Sequence, residues 1–478
     1  MHVHPERRMA IMNEVHDITY VLIWRNNIMM RSMYSAVSGL KTHQTKMDVI
    51  GNNIANVNTT AYKSQSMTFS DLMYQTTQAA SGANTTTGVG GTNARQIGLG
   101  SKTSAIKTAI TQQGATQTTN DPFDVMITGE SFFVVNNGSQ NFFTRDGSFY
   151  VDGAGNLAMT STGYNVMGWL PDTEDPTTIK KDTVTALRVM TEANMTYPAQ
   201  ATSKATFAGI IDTNDTNVTS KEGRVVNLEI YDNKGFKYTV RCTLHDEDTT
   251  ADDGMFYLKL EDILDSNGKS IVETGKKVTD YMKFDGVTGH AGDTCGETAL
   301  LQYSTKDGSF VNAGKAKGDA STQTSLTITV ANLPSFENIT ADFSATSNQN
   351  NNGSSTFVGS KGDSKGIGSG RKVGEMSGIA IQKDGKIYAS YDNGQKRLLG
   401  QIAVANFANA SGLSKEGDNL YSATQNSGDF NGVGEDITAD GGYMNSGVLE
   451  MSNVDLSAEF TEMITTQRGF QANSRIIT

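Results

Sequence analysis

Cysteine and long apolar runs are scarce in this chain. Its 478 residues include two cysteines, Cys242 and Cys295, which could form one bridge but neither a disulfide framework nor a tetrahedral zinc site. The longest unbroken apolar run near the start, residues 20–24, is too short for a signal-peptide core or a membrane-spanning helix. We therefore predict no cleaved signal sequence and no membrane insertion.

Proline and basic clusters are also scarce. Only 6 prolines accompany 49 glycines and many Thr, Ser and Asn residues, a composition typical of short strands and tight turns. The formal net charge is −12 and no Lys/Arg cluster stands out, which makes nucleic acid an unlikely partner. The length predicts about two to four domains.

Apolar residues repeat in heptads near both ends. In the first segment they alternate by four and three from Ser32 to about Asn56, where Asn and Thr favour a cap. The second pattern begins at Leu456 and is still running at Thr478, from which we expect the helix to be cut short. Residues 1–29 show no sustained period, so we treat them as a doubtful extension and Met30 as an alternative start.

Such stripes most often pack inside one chain, but two short, isolated helices are marginal in water unless they pair with each other or with other chains. A glutamine in each stripe could fix the register of such a pairing. We therefore predict an assembly interface, made of Met33, Val37, Leu40, Gln44, Met47, Ile54, Leu456, Phe460, Met463, Gln467, Phe470 and Ile477.

Between the helices the apolar period is close to two. Residues 124–128, 132–135 and 165–169 are predicted strands of an antiparallel sheet, and 225–231 and 238–244 belong to a second sheet. The predicted fold is mostly β with terminal helices, in a nested multi-domain order. The predicted domains are a terminal helical domain (30–75 with 445–478), an inner β domain (76–190 with 372–444), and an inserted outer β domain (191–371) that ends in a low-complexity linker (347–371).

No motif predicts catalysis, a cofactor or a metal. Residues 267–270 resemble the end of a P-loop, but Ile263 stands where that motif needs glycine. The acidic residues 246–248 and 252–253 lack the spacing of an EF-hand, so a solvated loop is favoured. His43, His245 and His290 have no partner at a spacing typical of a metal site or a catalytic triad.

Several segments resemble one family, the bacterial flagellar rod, hook and hook-associated axial proteins. The terminal matches are SMYSAVSGL (32–40), DVIGNNIANVNT (48–59), AYK (61–63), GVLEMSNVDL (447–456), EFTEMI (459–464) and QRGFQANSR (467–475). The β matches are GESFFVV (129–135), FTRDGSF (143–149) and NLY (419–421). The resemblance is strong over 30–170 and 375–478 and weak between, as for an exposed inserted domain.

The resemblance implies a hook-type structural subunit of a curved, flexible tube that joins rod to filament and transmits torque. Its implied location is the extracellular part of the flagellum. Implied partners are further copies of the chain, the rod, the hook cap, the hook–filament junction proteins and a type III export apparatus. Some relatives form subunit cross-links by elimination at cysteine and addition of lysine, so Cys242 and Cys295 are candidates for that reaction.

Other functions stay open at this point. A distal rod or hook-associated subunit shares the terminal motifs, although the size of the inserted domain argues against a rod subunit. A surface adhesin would normally carry a secretory signal and an anchor. An undetected hydrolase would reveal itself by a polar cleft in the folded protein.

Overall fold

The structure is a computed structural model that describes the backbone of residues 5–83, 88, 90–247, 254–316 and 322–477, with side chains from Met30 onward. The chain divides into two compact units. Unit 1 comprises Met1–Thr191, Ile379–Tyr388 and Arg397–Thr478, and unit 2 comprises Glu192–Gly378 and Ala389–Lys396. The sequence predicted that the chain leaves the inner domain once for the inserted domain and comes back once. In the structure the chain passes twice from unit 2 back to unit 1. Each unit is described by itself.

Helices and strands follow the predicted classes. The first part contains α1 (Pro5–Ala55), β1 (Gln65–Asp71), β2 (Tyr74–Gln78), β3 (Arg95–Gly98), β4 (Ser101–Thr108), β5 (Thr116–Thr118), β6 (Val125–Thr128), β7 (Phe132–Asn136), β8 (Asn141–Thr144), β9 (Phe149–Val151), β10 (Leu157–Met159), β11 (Asn165–Trp169) and β12 (Thr185–Ala186). The middle contains α2 (Glu192–Met195), β13 (Thr196–Tyr197), β14 (Lys204–Ile211), β15 (Arg224–Tyr231), β16 (Lys237–Asp246), β17 (Met255–Leu264), β18 (Met282–Phe284), β19 (Thr298–Tyr303), β20 (Phe310–Ala313), β21 (Ser325–Val330), β22 (Ile339–Asn348) and β23 (Val358–Lys361). The last part contains β24 (Gly374–Ile381), β25 (Lys386–Tyr391), β26 (Lys396–Ile402), β27 (Val404–Ala405), β28 (Ser414–Gly417), β29 (Leu420–Ser422), β30 (Tyr443–Ser446), β31 (Val448–Glu450) and α3 (Leu456–Ile477).

The two long helices confirm the predicted terminal helices. α1 begins at Pro5 instead of Ser32, so it includes residues for which the sequence showed no period. Proline is well suited to a first helical turn because its missing N–H has no partner there in any case. α3 begins after Asp455, whose carboxylate accepts hydrogen bonds from the backbone N–H groups of Ser457 and Ala458. Among the described residues no helix is long and apolar enough to cross a membrane.

Unit 1 contains the predicted antiparallel sheet. In it β11 pairs with β7 and β26, β7 pairs with β8, and β8 pairs with β29. The alternation of apolar residues in β7 places Phe132 and Val134 in one buried cluster with Phe143 and Tyr421. These contacts join strands that lie almost 300 residues apart in the sequence.

A two-stranded ribbon follows α1. β1 pairs with β4 and β2 pairs with β3, both antiparallel. Most of its side chains are exposed, and two strands alone are marginally stable in water. Its base is held to α1, since the hydroxyl groups of Thr42 and Ser101 lie 3.1 Å apart and the Ser101 N–H donates to Ser38 Oγ.

Unit 2 is built on two five-stranded sheets, in the orders β18-β21-β22-β14-β23 and β15-β16-β17-β19-β20. β14 and β22 pair in parallel, and the remaining recorded pairs of these sheets are antiparallel. Side chains of both sheets form one buried cluster, in which Phe207 and Phe343 stack at 4.7 Å. Unit 2 is therefore a β-sandwich.

The Asn/Gly/Ser tract 347–371 is not the flexible linker that its composition predicted. The tract contains β23, which pairs with β14, and the fully buried ring of Phe357. The buried carboxylate of Asp212 accepts hydrogen bonds from the backbone N–H groups of Asn351 and Gly353. These long-range contacts order a segment whose composition alone favours disorder.

Candidate assembly interface

α1 and α3 pack side by side in antiparallel directions. At one end Asn53 Nδ2 donates to Glu459 Oε1 at 2.8 Å, and further along Lys46 Nζ lies 3.0 Å from Glu462 Oε2. At the other end Gly39 faces Asn473. From one contact to the next, the residue number falls along α1 and rises along α3. The two helices are therefore antiparallel.

The face shared by the two helices is made of small and polar side chains. Ala36, Thr42 and Asn53 of α1 and Thr466 of α3 are buried. A Cβ atom on Gly469 would lie 2.7 Å from Cε1 of His43, so glycine is required for this close approach. Gly39, Asn53 and Gly469 therefore lie where the two helices meet, and the large apolar residues Val49 and Ile50 of α1 are buried as well.

The predicted interface residues lie mostly around the outside of this helix pair. Phe460 keeps 50% of its surface exposed and Val37 keeps 52%. The other exposed members of the set are Met33, Gln44, Leu456 and Gln467, and the half-buried members are Leu40, Met47, Ile54, Met463, Phe470 and Ile477. The two predicted stripes do not pack against each other. The buried face of α1 lies about one residue, or 100° around the helix, from the stripe. A single chain leaves this apolar surface uncovered.

The shared face escaped prediction because only large apolar residues were followed. Its signal was present as small residues at Ala36, Gly39 and Thr42, spaced by three along α1. Small residues at such spacing permit close helix packing but also occur on exposed faces. The sequence alone could not choose between these meanings.

A buried group of three charges fixes both helices to the β-sheet region of unit 1. Lys63 follows α1, Glu450 precedes α3, and Arg145 follows β8; each side chain is 1% exposed. Glu450 Oε1 lies 2.7 Å from Lys63 Nζ, and Glu450 Oε2 lies 3.4 Å from Arg145 Nε. We call these three residues the charge triad.

Backbone groups also form hydrogen bonds with the charge triad. Arg145 donates to the carbonyl oxygens of Gly129 and Ser131, and Glu450 Oε1 accepts from the N–H of Gly114. Burial lowers the pKa of Lys63, and the neighbouring carboxylate of Glu450 acts in the opposite direction. The triad escaped prediction because its members are far apart in the sequence, although each lies in or beside a quoted family motif.

Two asparagines extend this attachment. Asn53 Oδ1 accepts from the N–H of Gln65, and Asn453 Oδ1 accepts from the N–H of Ser64 at 2.7 Å. Asn453 also donates to the carbonyl oxygen of Ala109. The end of α1 and the approach to α3 are therefore joined to the same strands, which sets the position of the helix pair within unit 1.

His43 lies in the helix pair, and we expect its protonation to weaken the pair. Burial, and then the nearby Lys46, lower its pKa from the ordinary value of 6.5, and its Nδ1 atom is buried without a hydrogen-bond partner. The stability contributed by neutral His43 is complete above pH 6.5 and is lost as the pH falls toward the lowered folded-state pKa, because the unfolded chain takes up the proton first.

We expect the hydrogen-exchange protection factors of residues 36–53, which correct for the slower intrinsic exchange at lower pH, to fall between pH 7.5 and 5.5 in the unsubstituted chain, because local opening then becomes easier. A His43→Gln variant should lose most of this pH dependence. A His245→Gln variant, altered in unit 2, should keep it. An equal fall of the protection factors in the His43→Gln variant would contradict this role for His43.

The two cysteines differ in accessibility. Cys242 lies in β16, and burial raises its pKa to about 12. Cys295 is exposed and is not in a disulfide. A lysine of another subunit could approach Cys295 but not Cys242, so Cys295 alone stays a candidate for the predicted cross-link.

Unit 2 does contain a polar cleft. Its volume is about 840 Å³, and it is lined by a stack in which Tyr257 lies parallel to the rings of His245 and His290. His245 Nε2 lies 3.0 Å from Thr243 Oγ1, whereas Glu247 bonds to His290 instead. Among the described residues, no carboxylate is hydrogen-bonded to the histidine beside the hydroxyl group, which a triad would require.

The acidic segment 246–253 lies largely outside the described residues, so its interpretation as a solvated loop stays a prediction. Across the part of the chain that is described, no group of three His, Cys, Asp or Glu side chains could hold a metal ion.

Three family models match separate segments of the chain. The model for flagella basal body rod protein matches 33–63, and the flagellar hook protein FlgE/F/G D1 domain matches 126–205. The flagellar basal body rod FlgEFG protein C-terminal model matches 445–478. The two terminal matches contain Lys63 and Glu450, and the central match contains Arg145.

Whole-length relatives agree with these segments. The chain is 33% identical over 470 residues to the flagellar hook protein FlgE of Treponema pallidum, covering 94% of this chain and 97% of that protein. It is 30% identical over 445 residues to the FlgE of Escherichia coli, covering 92% and 95%. The flagellar basal-body rod protein FlgG of Bacillus subtilis is 27% identical over 450 residues, covering 94% and 95%.

Proposed function

Because the chain belongs to the flagellar hook protein family and is a structural subunit of the bacterial flagellum, we propose that it assembles with copies of itself into a curved tube. In this role the tube couples the rod to the filament and transmits torque. The relatives at 30% identity or more named above are hook proteins, which favours the hook over the rod.

The observation that carries the proposal is the uncovered apolar surface of the helix pair. Large side chains such as Val37 and Phe460 are exposed, although α1 and α3 already contact each other through small residues. Polymerisation would remove this surface from water at about 25 cal/mol per Å². The twelve predicted interface residues therefore remain our proposal for contacts between copies, including coiled-coil-like packing.

A rod subunit is the second candidate, since the alignment with the rod protein FlgG of Bacillus subtilis spans 94% of this chain. The hook proteins named above, at 30–33% identity against 27% for this rod protein, favour the hook.

We propose that the role is structural and not enzymatic. The relatives are structural proteins, and in the part of unit 2 that the structure describes no carboxylate is hydrogen-bonded to His245, the histidine beside Thr243. The proposed partners are further copies of the chain, the rod, the hook cap and the hook–filament junction proteins. Passage through a type III export apparatus is part of the same proposal.

Immunogold labelling of isolated flagella tests the assignment. An antibody raised against unit 2 should label the short curved segment between basal body and filament, because that segment would consist of this chain. The matched control is flagella from a strain lacking the gene, which should carry no label. Labelling confined to the rod would support the second candidate and contradict the hook assignment.

A further inference from the structure

We propose that unit 2 binds a small oxyanion, such as phosphate, in a polar pocket beside a glycine-rich loop. The loop has the sequence GIGSGR and comprises residues 366–371, and we call it the glycine loop. The proposal concerns a single chain and does not depend on assembly into a tube.

The pocket is small and polar. It has a volume of about 250 Å³ and is lined by the glycine loop together with Gln200 and Gln395, all of which belong to unit 2. Pockets for larger organic ligands typically measure roughly 300–1,000 Å³. The size therefore favours a small ion.

The backbone of the glycine loop offers hydrogen-bond donors. Gly366, Gly368 and Gly370 have φ angles of +78°, +75° and +66°, whereas Ile367 and Ser369 between them do not have positive φ. Alternation of this kind is typical of anion-binding nests, in which successive N–H groups converge. Within the described residues, which include the whole loop, no atom accepts a hydrogen bond from the N–H groups of Gly368, Ser369 or Gly370.

Contacts with the segment before β14 hold the glycine loop in place. The carbonyl oxygen of Gly368 accepts hydrogen bonds from the N–H groups of Ser203 and Lys204. The carbonyl oxygen of Ser369 accepts one from the hydroxyl group of Thr202. These contacts use carbonyl oxygens of the loop, so they do not compete with an anion for its N–H groups.

Arg371 brings a positive charge to the pocket. Its Cζ atom lies 4.8 Å from the centre of the Tyr197 ring, and its Nη2 atom donates to Gln200 Oε1. Its Nε atom is buried and has no hydrogen-bond partner in the described part of the chain. Of the described residues that line the pocket, none carries a carboxylate. A held guanidinium with an unpaired donor suits an oxyanion, since its planar fork can donate two hydrogen bonds to one.

Two acidic residues that lie close to the pocket in sequence have lysine partners. Asp363 lies 3.2 Å from Lys204 Nζ, and Asp392 lies 2.8 Å from Lys372 Nζ. Neither carboxylate lines the pocket. Arg371 is thus the charge that an ion in the pocket would meet.

Equilibrium dialysis of the full chain against radiolabelled phosphate tests the site. At constant pH and ionic strength we expect saturable binding of one phosphate per chain. Arg371→Gln should weaken this binding at least about tenfold, because it removes a charge-assisted hydrogen-bond donor. Lys372→Gln is the matched control, since it removes the neighbouring positive charge outside the pocket and should bind phosphate as the unsubstituted chain does.

A second variant serves if Arg371→Gln disturbs folding, which circular dichroism reveals. Gln395→Glu places a carboxylate in the pocket, where it competes with the ion for Arg371. This variant should also bind phosphate at least about tenfold more weakly.

Hydrogen exchange locates the bound ion. At a phosphate concentration ten times the Kd, the protection factors of residues 368–370 should rise about tenfold relative to chloride at the same ionic strength, because the ion must leave before these N–H groups exchange. A parallel arm with glycerol phosphate distinguishes a free ion from a phosphate ester. Tighter binding of either one supports the site and identifies the source of its oxyanion.

Three results would overturn the site. They are no saturable binding of phosphate or glycerol phosphate, equal binding by the Arg371→Gln and Lys372→Gln variants, and protection that rises only outside residues 368–370. Each would leave the proposed hook function intact, because assembly does not enter the argument.

Discussion

Replacing Glu450 by glutamine should destabilise unit 1 by about 3–5 kcal/mol, since the substitution leaves two buried cations without their counter-charge. Lys63 and Arg145 are each 1% exposed and cannot reach water without local unfolding. Denaturant unfolding in a Trp24→Phe background, followed by the fluorescence of Trp169, which is buried in unit 1, measures the change. Glu130→Gln, at an exposed carboxylate, is the matched control and should leave the midpoint unchanged.

A double variant separates the lost charge pair from a general packing defect. The double variant Lys63→Met/Glu450→Gln should lose less free energy of unfolding than the sum of the losses of the two single variants. Each substitution removes the buried charge that the other leaves unpaired. Strict additivity would contradict the paired role of these residues. The backbone carbonyl of Glu450 also accepts a hydrogen bond from the N–H of Ala61, so the same position ties the approach to α3 to the end of α1.

Replacing Phe460 by aspartate should abolish polymerisation while each unit stays folded. Phe460 is half exposed in the single chain, so the substitution should lower the free energy of unfolding of the single chain only slightly. In the proposed interface the loss of an aromatic anchor costs about 2–4 kcal/mol, equivalent to roughly a 30- to 1000-fold rise in critical concentration. Leu40→Asp should act in the same direction from α1.

Sedimentation and negative-stain electron microscopy follow this change, and circular dichroism verifies folding. Thr465→Asp places the same charge on α3, away from the predicted apolar stripe, and should still polymerise. Unchanged tubes of the Phe460→Asp variant would exclude Phe460 from the contact between copies.

The β elements and the existence of both helices were predictable from periodicity. Alternating apolar residues located β11 and β15, because half-buried strands repeat every two residues, whereas β7 is a short apolar run that is buried on both faces. The face on which α1 meets α3 was not predictable in this way. Heptad patterns follow large apolar residues, whereas Gly39 faces Asn473 and Gly469 faces His43 in this contact.

Long-range polar contacts explain the remaining differences. Nothing local pairs Lys63 with Glu450, because that ion pair exists only once the two ends of unit 1 have come together. Likewise the tract 347–371 has the composition of a linker, but Asp212 and β14 order it from more than 130 residues away. The composition of a segment indicates how much conformational entropy is lost when the segment becomes ordered. It does not reveal the long-range contacts that offset this loss.

The central claim is that the exposed faces of α1 and α3 hold copies of the chain together. Cryo-electron microscopy of the assembled tube tests it most directly, because it locates every side chain of the helix pair in the polymer. The account predicts that Val37 and Phe460 become buried between neighbouring copies. A tube held together through unit 2 alone, with these two side chains still facing solvent, would contradict it.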